Sequence, residues 1–258
     1  MTAPLLLIMM FAQQGGAAAS TDPARLVVEL QEAIRANPQI ESNYTDLGNL
    51  LLSTQNFSEA ALILEAARSK FPTSAQPALS AGVAYYGLRR FPDAVTAFLA
   101  AARLDPDAEQ PIVFLTRMPE NWADRKGDIV AVFNTYAKTH PRSALAHFAL
   151  GRATEDVAEL RQAIKLSPKV ADIHIELGTV LESKRDFAGA IASFRRAAEL
   201  APKNPIPHYR LSRLYARTGD SAQADAERAL HEKLSAEEKA ELDRRQAATR
   251  HLKLTVRP

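Results

Sequence analysis

The 258-residue chain contains no cysteine, and this absence excludes several classes of chemistry. Disulfide frameworks, thiolate zinc sites, cysteine nucleophiles and cysteine-linked lipid anchors all require a thiol. The sequence also lacks the motifs of zinc proteases, P-loop nucleotide binding, α/β-hydrolases and dinucleotide binding. No two of its six histidines stand three or four residues apart, so no pair has metal-ligand spacing on a helix. The sequence therefore predicts a non-enzymatic protein with no catalytic residue, no metal site and no cofactor.

Aromatic residues and an excess of one charge are also scarce. Aromatic residues make up 7% of the chain, and 32 lysines and arginines stand against 30 aspartates and glutamates. Nucleic-acid binding usually needs a marked surplus of positive charge, so this balance predicts no nucleic-acid partner. Hydrophobic residues nevertheless reach 47%, which is enough for a continuous core between layers of helices.

A recurring spacing is the strongest feature that the sequence does contain. From Gly178, gaps of 12, 4, 3 and 5 residues lead to Ala190, Phe194, Ala197 and Pro202. Glycine and alanine let two helices approach closely, a larger residue fills the space beside them, and proline ends the second helix. The sequence therefore predicts repeated helix pairs. The same gaps occur twice more, in Gly48, Ala60, Leu64, Ala67 and Pro72, and in Gly82, Ala94, Phe98, Ala101 and Pro106.

This pattern resembles the tetratricopeptide repeat, whose period is 34 residues. Pro38, Pro72 and Pro106 lie 34 residues apart, and so do Pro168 and Pro202. The resemblance extends over roughly residues 22–234. It implies an all-α fold, a right-handed superhelical solenoid of antiparallel helix pairs whose first helices line a concave face.

The N-terminal residues 1–19 are predicted to be a signal peptide. An apolar run at residues 5–12 is too short to span a bilayer, and Ala17 and Ala19 form an A-x-A arrangement. Cleavage is expected near Ala19 or after Ala12. No lysine or arginine precedes the apolar run, although signal peptides usually have one there. A misplaced start codon or a disordered tail would also explain that absence. We therefore expect a periplasmic or secreted protein with no stable membrane insertion after signal removal, and otherwise a cytoplasmic one.

The repeat frame divides the rest of the chain. Residues 20–38 are expected to form an N-terminal capping helix. Residues 235–258 are expected to form a C-terminal capping helix and a basic tail, with the helix beginning at Ser235 and Glu238 completing a capping box. Between them, residues 39–234 are expected to form the solenoid, with repeats at about 41–74, 75–108, 109–142, 143–170, 171–204 and 205–234.

Two of these repeats are irregular. In the 109–142 repeat, Arg117 occupies the glycine position, and Pro119 interrupts the first helix next to Trp122. This segment is either a degenerate helix pair or a loop that places Trp122 at a binding surface. The 143–170 repeat is seven residues shorter between Gly151 and Pro168, close to two helical turns, so its apolar face should keep its direction.

Two further groups have both a structural and a binding interpretation. His174 and His208 lie 34 residues apart, at a position where the repeat often has an aromatic ring, so they are expected to pack between helices. The tail could contact an anionic membrane or an acidic partner, or its cations could balance a helix macrodipole. Its basic residues are Arg244, Arg245, Arg250, Lys253 and Arg257.

The resemblance also implies a peptide-binding groove on the first helices. Leu79, Val83 and Tyr86 should form an exposed apolar stripe that anchors a peptide. A chaperone-type carboxylate clamp is not expected, because Thr45 and Ser80 stand where basic residues or a second amide are required. The candidate groove residues are Thr45, Asn49, Leu52, Leu79, Val83, Tyr86, Ile175, Thr179, Glu182, Tyr209 and Arg213.

The expected function is a protein–protein interaction module or scaffold that binds a peptide or protein segment in this groove. The alternative is a helical-repeat RNA-binding protein, because pentatricopeptide repeats are also helix pairs of similar period. The low net charge, the 34-residue period and the alanine and proline spacing disfavour RNA binding. The sequence carries no signal for an oligomeric state.

Overall fold

The computed structural model describes residues 22–118 and 123–255, and over that part of the chain every regular element is helical. The predicted all-α fold class of helix pairs is therefore confirmed. The predicted signal peptide, Pro119, Trp122 and Arg257 lie outside the described residues.

Thirteen α-helices and one 3-10 helix, Ala123–Arg125, make up the described residues. They fall into two compact units, unit 1 up to Pro141 and unit 2 from Arg142. Unit 1 contains α1 (Pro23–Ala36), α2 (Glu41–Ser53), α3 (Phe57–Lys70), α4 (Ala75–Gly87), α5 (Phe91–Leu104), α6 (Glu109–Thr116) and α7 (Lys126–Thr139). Unit 2 contains α8 (Ala144–Thr154), α9 (Val157–Leu166), α10 (Ala171–Ser183), α11 (Phe187–Leu200), α12 (Pro205–Thr218) and α13 (Ser221–Thr255).

Short polar side chains fix where several helices begin. The Asp22 carboxylate accepts a hydrogen bond from the Ala24 amide at 3.0 Å, and Pro23 takes the first helical position. Asp186 accepts from the Gly189 amide at 2.9 Å at the start of α11. These bonds satisfy amides that have no partner within the helix, so the caps set the start of each helix.

Five of the turns within helix pairs share one backbone feature. Each of these five places a single residue in the left-handed region, where a side chain crowds its own backbone. Only the last of these turns uses glycine, Gly219, with φ +88°. The others are Gln55, Arg89, Glu155 and Arg185, with φ between +54° and +64°.

The glycines of the repeated pattern stand where the two helices of a pair meet most closely. A Cβ atom on Gly82 would lie 2.5 Å from Cε1 of Phe98, and one on Gly178 would lie 2.9 Å from Cε1 of Phe194. Both phenylalanines are fully buried. The glycine and the aromatic ring sixteen positions later thus form one packing unit. Equivalent contacts join Gly48 to Leu64 and Gly151 to Leu160.

The irregular repeat in unit 1 departs from this arrangement. Helix α6 has only eight residues, and Arg117 is its C-cap, so the helix ends where the glycine would stand. Phe114 instead stacks on Phe98 with ring centroids 4.6 Å apart. Arg125 and Arg103 both bind Asp128, and the hydrogen bond from Arg125, followed by the charge of Arg103, lowers the pKa of that carboxyl.

Helix α13 is continuous for 35 residues, so the prediction that a separate helix begins at Ser235 is wrong. The Ser235 hydroxyl lies 3.4 Å from Nδ1 of His231 inside the helix and caps nothing. The segment contains neither proline nor glycine, so nothing interrupts the backbone hydrogen bonds. Ala224 is buried against the rest of unit 2, whereas residues 236–245 are exposed. Among the described helices, none is long and apolar enough to span a bilayer.

Candidate functional site

Four of the predicted groove residues in unit 1 are buried. Leu79 and Val83 are 7% and 0% exposed, so the prediction that they form an exposed apolar stripe is wrong. The reason is the composition of α4, in which Ala78, Ala81 and Gly82 allow neighbouring helices to approach closely. Every residue from Pro77 to Tyr85 is buried in consequence. The other two buried candidates are Thr45 and Leu52.

The two half-buried candidates in unit 1, Asn49 and Tyr86, make contacts between helices. Oδ1 of Asn49 accepts a hydrogen bond from the buried Ser80 hydroxyl at 3.0 Å, which links α2 to α4. The Tyr86 ring lies edge-on to Phe91 and tilted against Phe114, with centroids 5.7 and 6.3 Å apart. Both side chains are therefore engaged in packing between helices.

A buried tyrosine adds a second polar link in unit 1. The Tyr85 hydroxyl donates to Oε1 of Glu65 at 2.9 Å, which joins α4 to α3. Burial, then the hydrogen bond and charge of Glu65, raise the pKa of Tyr85 to about 12. The Arg90 guanidinium lies 4.6 Å from the ring centroid and acts in the opposite direction. The neutral phenol is thus the form that this site favours.

The predicted groove residues of unit 2 remain accessible. Ile175, Thr179 and Glu182 are half-buried on α10, whereas Tyr209 and Arg213 are exposed on α12. Thr179 donates its hydroxyl to the Ile175 carbonyl at 2.9 Å within the helix. The first helices of unit 2 therefore present a mixed polar and apolar surface.

Ion pairs join these first helices to one another. Nε of Arg152 on α8 lies 3.5 Å from Oε2 of Glu176 on α10. Nη1 of Arg210 on α12 lies 3.4 Å from Oε2 of Glu182 on α10. Glu182, predicted as a ligand-binding residue, is therefore already paired. Partly exposed pairs of this kind contribute roughly 0–1 kcal/mol each, so they align the helices more than they stabilise them.

One line of exposed side chains runs along α12, and we call Ile206, Tyr209, Arg213 and Arg217 the α12 stripe. The residues are spaced by three, four and four, so they share a helix face. The Arg213 guanidinium lies 5.7 Å from the Tyr209 ring centroid, and that of Arg217 lies 4.4 Å from the Phe187 centroid. Sequence reasoning named Tyr209 and Arg213 but missed Ile206 and Arg217, although the helical spacing was there to find them.

Three histidines occupy one equivalent packing position in unit 2. His174 and His208 are buried as predicted, and His147 stands at the same position four residues before Gly151. Nδ1 of His208 lies 2.6 Å from Oε2 of Glu227, and His147 approaches Glu159 at the same distance. His147 and His208 thus bond within their own helix pairs, whereas Nε2 of His174 lies 3.1 Å from the Pro168 carbonyl oxygen in the turn before its pair. All three rings are engaged in packing between helices, which confirms the packing interpretation. No cluster of three metal-binding side chains occurs in the part of the chain that the structure describes.

The repeated Gly–aromatic contacts and the equivalent ring positions agree with a sequence-family comparison. A family model for the tetratricopeptide repeat matches residues 45–109 and 144–205. The chain is a tetratricopeptide repeat protein. The interval between the two matches contains the short helix α6 and the segment around Pro119, where the repeat pattern is broken.

One relative is similar in sequence to part of this tetratricopeptide repeat protein. The chain is 30% identical over 142 residues to Peroxisome biogenesis protein 5 of Arabidopsis thaliana. The match covers 54% of this chain and 19% of the relative, so it spans about a fifth of that protein's length.

Two solved structures share the fold. A chain of the APC/C hetero-tetramer Cut9–Hcn1 aligns with a TM-score of 0.57 and 15% identity, covering 90% of this chain and 46% of that chain. The Pseudomonas aeruginosa protein PilF aligns with a TM-score of 0.53 and 15% identity, covering 76% and 97% of the two chains. At these identities the likeness concerns the fold alone.

Proposed function

We propose that this tetratricopeptide repeat protein is a non-enzymatic scaffold that binds a peptide or protein segment on the first-helix face of unit 2. The observation that carries the proposal is the accessibility of that face. Tyr209 is 42% exposed and Ile206 is 50% exposed on one side of α12. Large apolar side chains that stay exposed next to one another commonly mark an interaction surface.

The chemistry of the surface suits a protein segment. An exposed aromatic ring on a rigid helix provides contact area at low cost in conformational entropy. Ile175 and Thr179 on α10 and Tyr209 on α12 add apolar and hydroxyl groups to the same set of first helices. Anchors of this kind, with polar groups around them, are what peptide-binding grooves use.

The proposal can be tested with a single aromatic truncation. Tyr209→Ala should weaken capture of a partner from an extract of the source cells by about tenfold, as expected for loss of an aromatic anchor. Leu62→Ala is the matched control, since Leu62 is 72% exposed on α3 of unit 1. If both variants retain the same proteins as the wild type, the surface is not a binding site. Because the Tyr209 ring also packs against His231 with centroids 5.3 Å apart, capture is compared at a temperature where both variants are folded.

We further propose that the scaffold is exported. The support is the composition of residues 1–19, an apolar run followed by small residues. The mass of the protein recovered from the source cells tests this. Loss of about the first 12 or 19 residues is expected from such a signal, and an intact Met1 in cytoplasmic protein would contradict export.

A further inference from the structure

We propose that the α12 stripe binds an acidic segment of a partner protein, with carboxylates on Arg213 and Arg217 and an adjoining apolar residue against Ile206 and Tyr209. This inference rests on the proposed function and specifies the chemistry of the ligand at that surface. It differs from a clamp assembled across several repeats, because all four side chains belong to one helix.

The stripe is as long as a short extended peptide, and its apolar and cationic groups lie at opposite ends. Arg217 lies eleven positions after Ile206, which is about 16 Å along a helix axis. About five residues of extended chain cover that distance. The apolar end of the stripe is at the N-terminus of α12, and the cationic end is at its C-terminus. A matching ligand therefore has an apolar residue at one end and acidic residues at the other.

The two arginines are held in place without being neutralised. Arg213 lies beside the Tyr209 ring and Arg217 over the Phe187 ring. Stacking of this kind positions a guanidinium and leaves its edge free to bind a carboxylate through two hydrogen bonds. Neither arginine takes part in an ion pair among the described residues, in contrast to Arg152 and Arg210.

Carboxylates on the helices next to the stripe have other partners. Glu182 pairs with Arg210, and Glu227 lies against His208. Asp186 and Asp220 accept hydrogen bonds from amides at the starts of α11 and α13. The positive charge of the stripe is therefore available to a ligand, and an acidic group is its electrostatic complement.

A nucleic-acid strand also carries negative charge, but the stripe favours a protein segment. Two arginines next to exposed Ile206 and Tyr209 form a small, half-apolar site, whereas phosphate backbones are bound by extended cationic surfaces. The net charge of +2 for the whole chain agrees with that distinction. An oligonucleotide therefore serves as a competing probe in the experiment.

The test uses the full chain and a fluorescein-labelled Leu-Glu-Glu-Leu-Glu-Glu peptide, with binding followed by fluorescence anisotropy. Replacing both arginines, Arg213→Gln with Arg217→Gln, should weaken binding by about tenfold or more, since charge-assisted hydrogen bonds are lost. The control makes the same charge change at two exposed arginines on second helices, Arg161→Gln with Arg195→Gln. We expect this control to bind as the wild type does.

Four results would overturn the inference. The first is no binding of the peptide to the wild type, and the second is an equal loss of affinity in the control variant and the stripe variant. The third is equal binding of the same peptide with Gln in place of Glu. The fourth is tighter binding of a mixed-sequence single-stranded oligonucleotide that is lost in the stripe variant, which would assign the stripe to nucleic acid. If Tyr209→Ala still abolishes partner capture in the first two cases, only the acidic chemistry is wrong and the proposed function stands.

Discussion

The first helices of the two units use the same helical frame for different purposes. In unit 1, α4 buries Leu79 and Val83 and links to α2 through the neutral bond between Ser80 and Asn49. In unit 2, α12 leaves Tyr209 exposed and links to α10 through the ion pair between Arg210 and Glu182. The buried helix α4 is thus linked by a neutral hydrogen bond, and the more exposed helix α12 is linked by an ion pair.

The difference shows that a groove position in the repeat pattern does not by itself make a residue accessible for binding. Small residues around Gly82 bring neighbouring helices close to α4, so a side chain at the predicted groove position becomes part of the core. On α12 the equivalent positions carry larger and charged groups that cannot be buried without partners. Binding capacity therefore depends on the residues beside a position as much as on the residue there.

The largest effect should come from disturbing the close-packed side of this comparison. Gly82→Leu should lower the free energy of unfolding by about 3 kcal/mol or more, because the new side chain would overlap the buried Phe98 ring. Chemical denaturation measures the change. Gly127→Leu is the control, since a Cβ atom on Gly127 meets nothing within 4 Å. An equal loss in the two variants would contradict the packing described for unit 1.

A smaller effect should separate the two kinds of polar link. Asn49→Ala leaves the buried Ser80 hydroxyl with a poorer set of partners and should cost about 1–2 kcal/mol. Glu182→Ala removes a partly exposed ion pair and should cost less than about 1 kcal/mol, with the loss shrinking as salt is added. Denaturation at low and high sodium chloride tests both. A larger cost for Glu182→Ala would reverse the comparison.

High pH should act on unit 1 through Tyr85. Its folded pKa of about 12 lies above the ordinary value of 10.0, so its stabilising effect is complete below pH 10 and is lost as pH rises towards 12. Tyr85→Phe should lower the unfolding free energy by about 1 kcal/mol at neutral pH. That difference should disappear between pH 10 and 12 in denaturation experiments. A difference that stays constant over this interval would show that the pKa of Tyr85 is the same in the folded and unfolded protein.

The smallest effect should be the same in both units, because their turns have the same backbone. Arg89→Gly and Arg185→Gly should each raise the unfolding free energy by about 0.5–1 kcal/mol, since glycine adopts positive φ without strain. Gly219→Ala should lower it by a similar amount. Thermal denaturation of the three variants checks the pattern. Opposite effects in the two units would mean that the turns are not equivalent.

Helix pairs were predictable because their determinants are local. The spacing from Gly178 to Phe194 identified a close contact, and the structure shows the ring where a Cβ atom would stand. The shortened repeat keeps the corresponding contact between Gly151 and Leu160, because seven residues are nearly two whole turns. The prediction that a separate helix begins at Ser235 was wrong, since a capping-box motif does not interrupt a helix that contains no proline or glycine.

By itself the sequence determined the repeat, the helix pairs and the glycine contacts, because each depends on residues within one 34-residue period. Only the tertiary structure decided that Leu79 and Val83 are core and that Tyr209 and Arg213 are surface. Exposure depends on helices from other repeats, and their distance is set by the side chains of both. The pairing of Arg210 with Glu182 has the same cause: the two residues are 28 positions apart and meet only when α10 and α12 pack side by side.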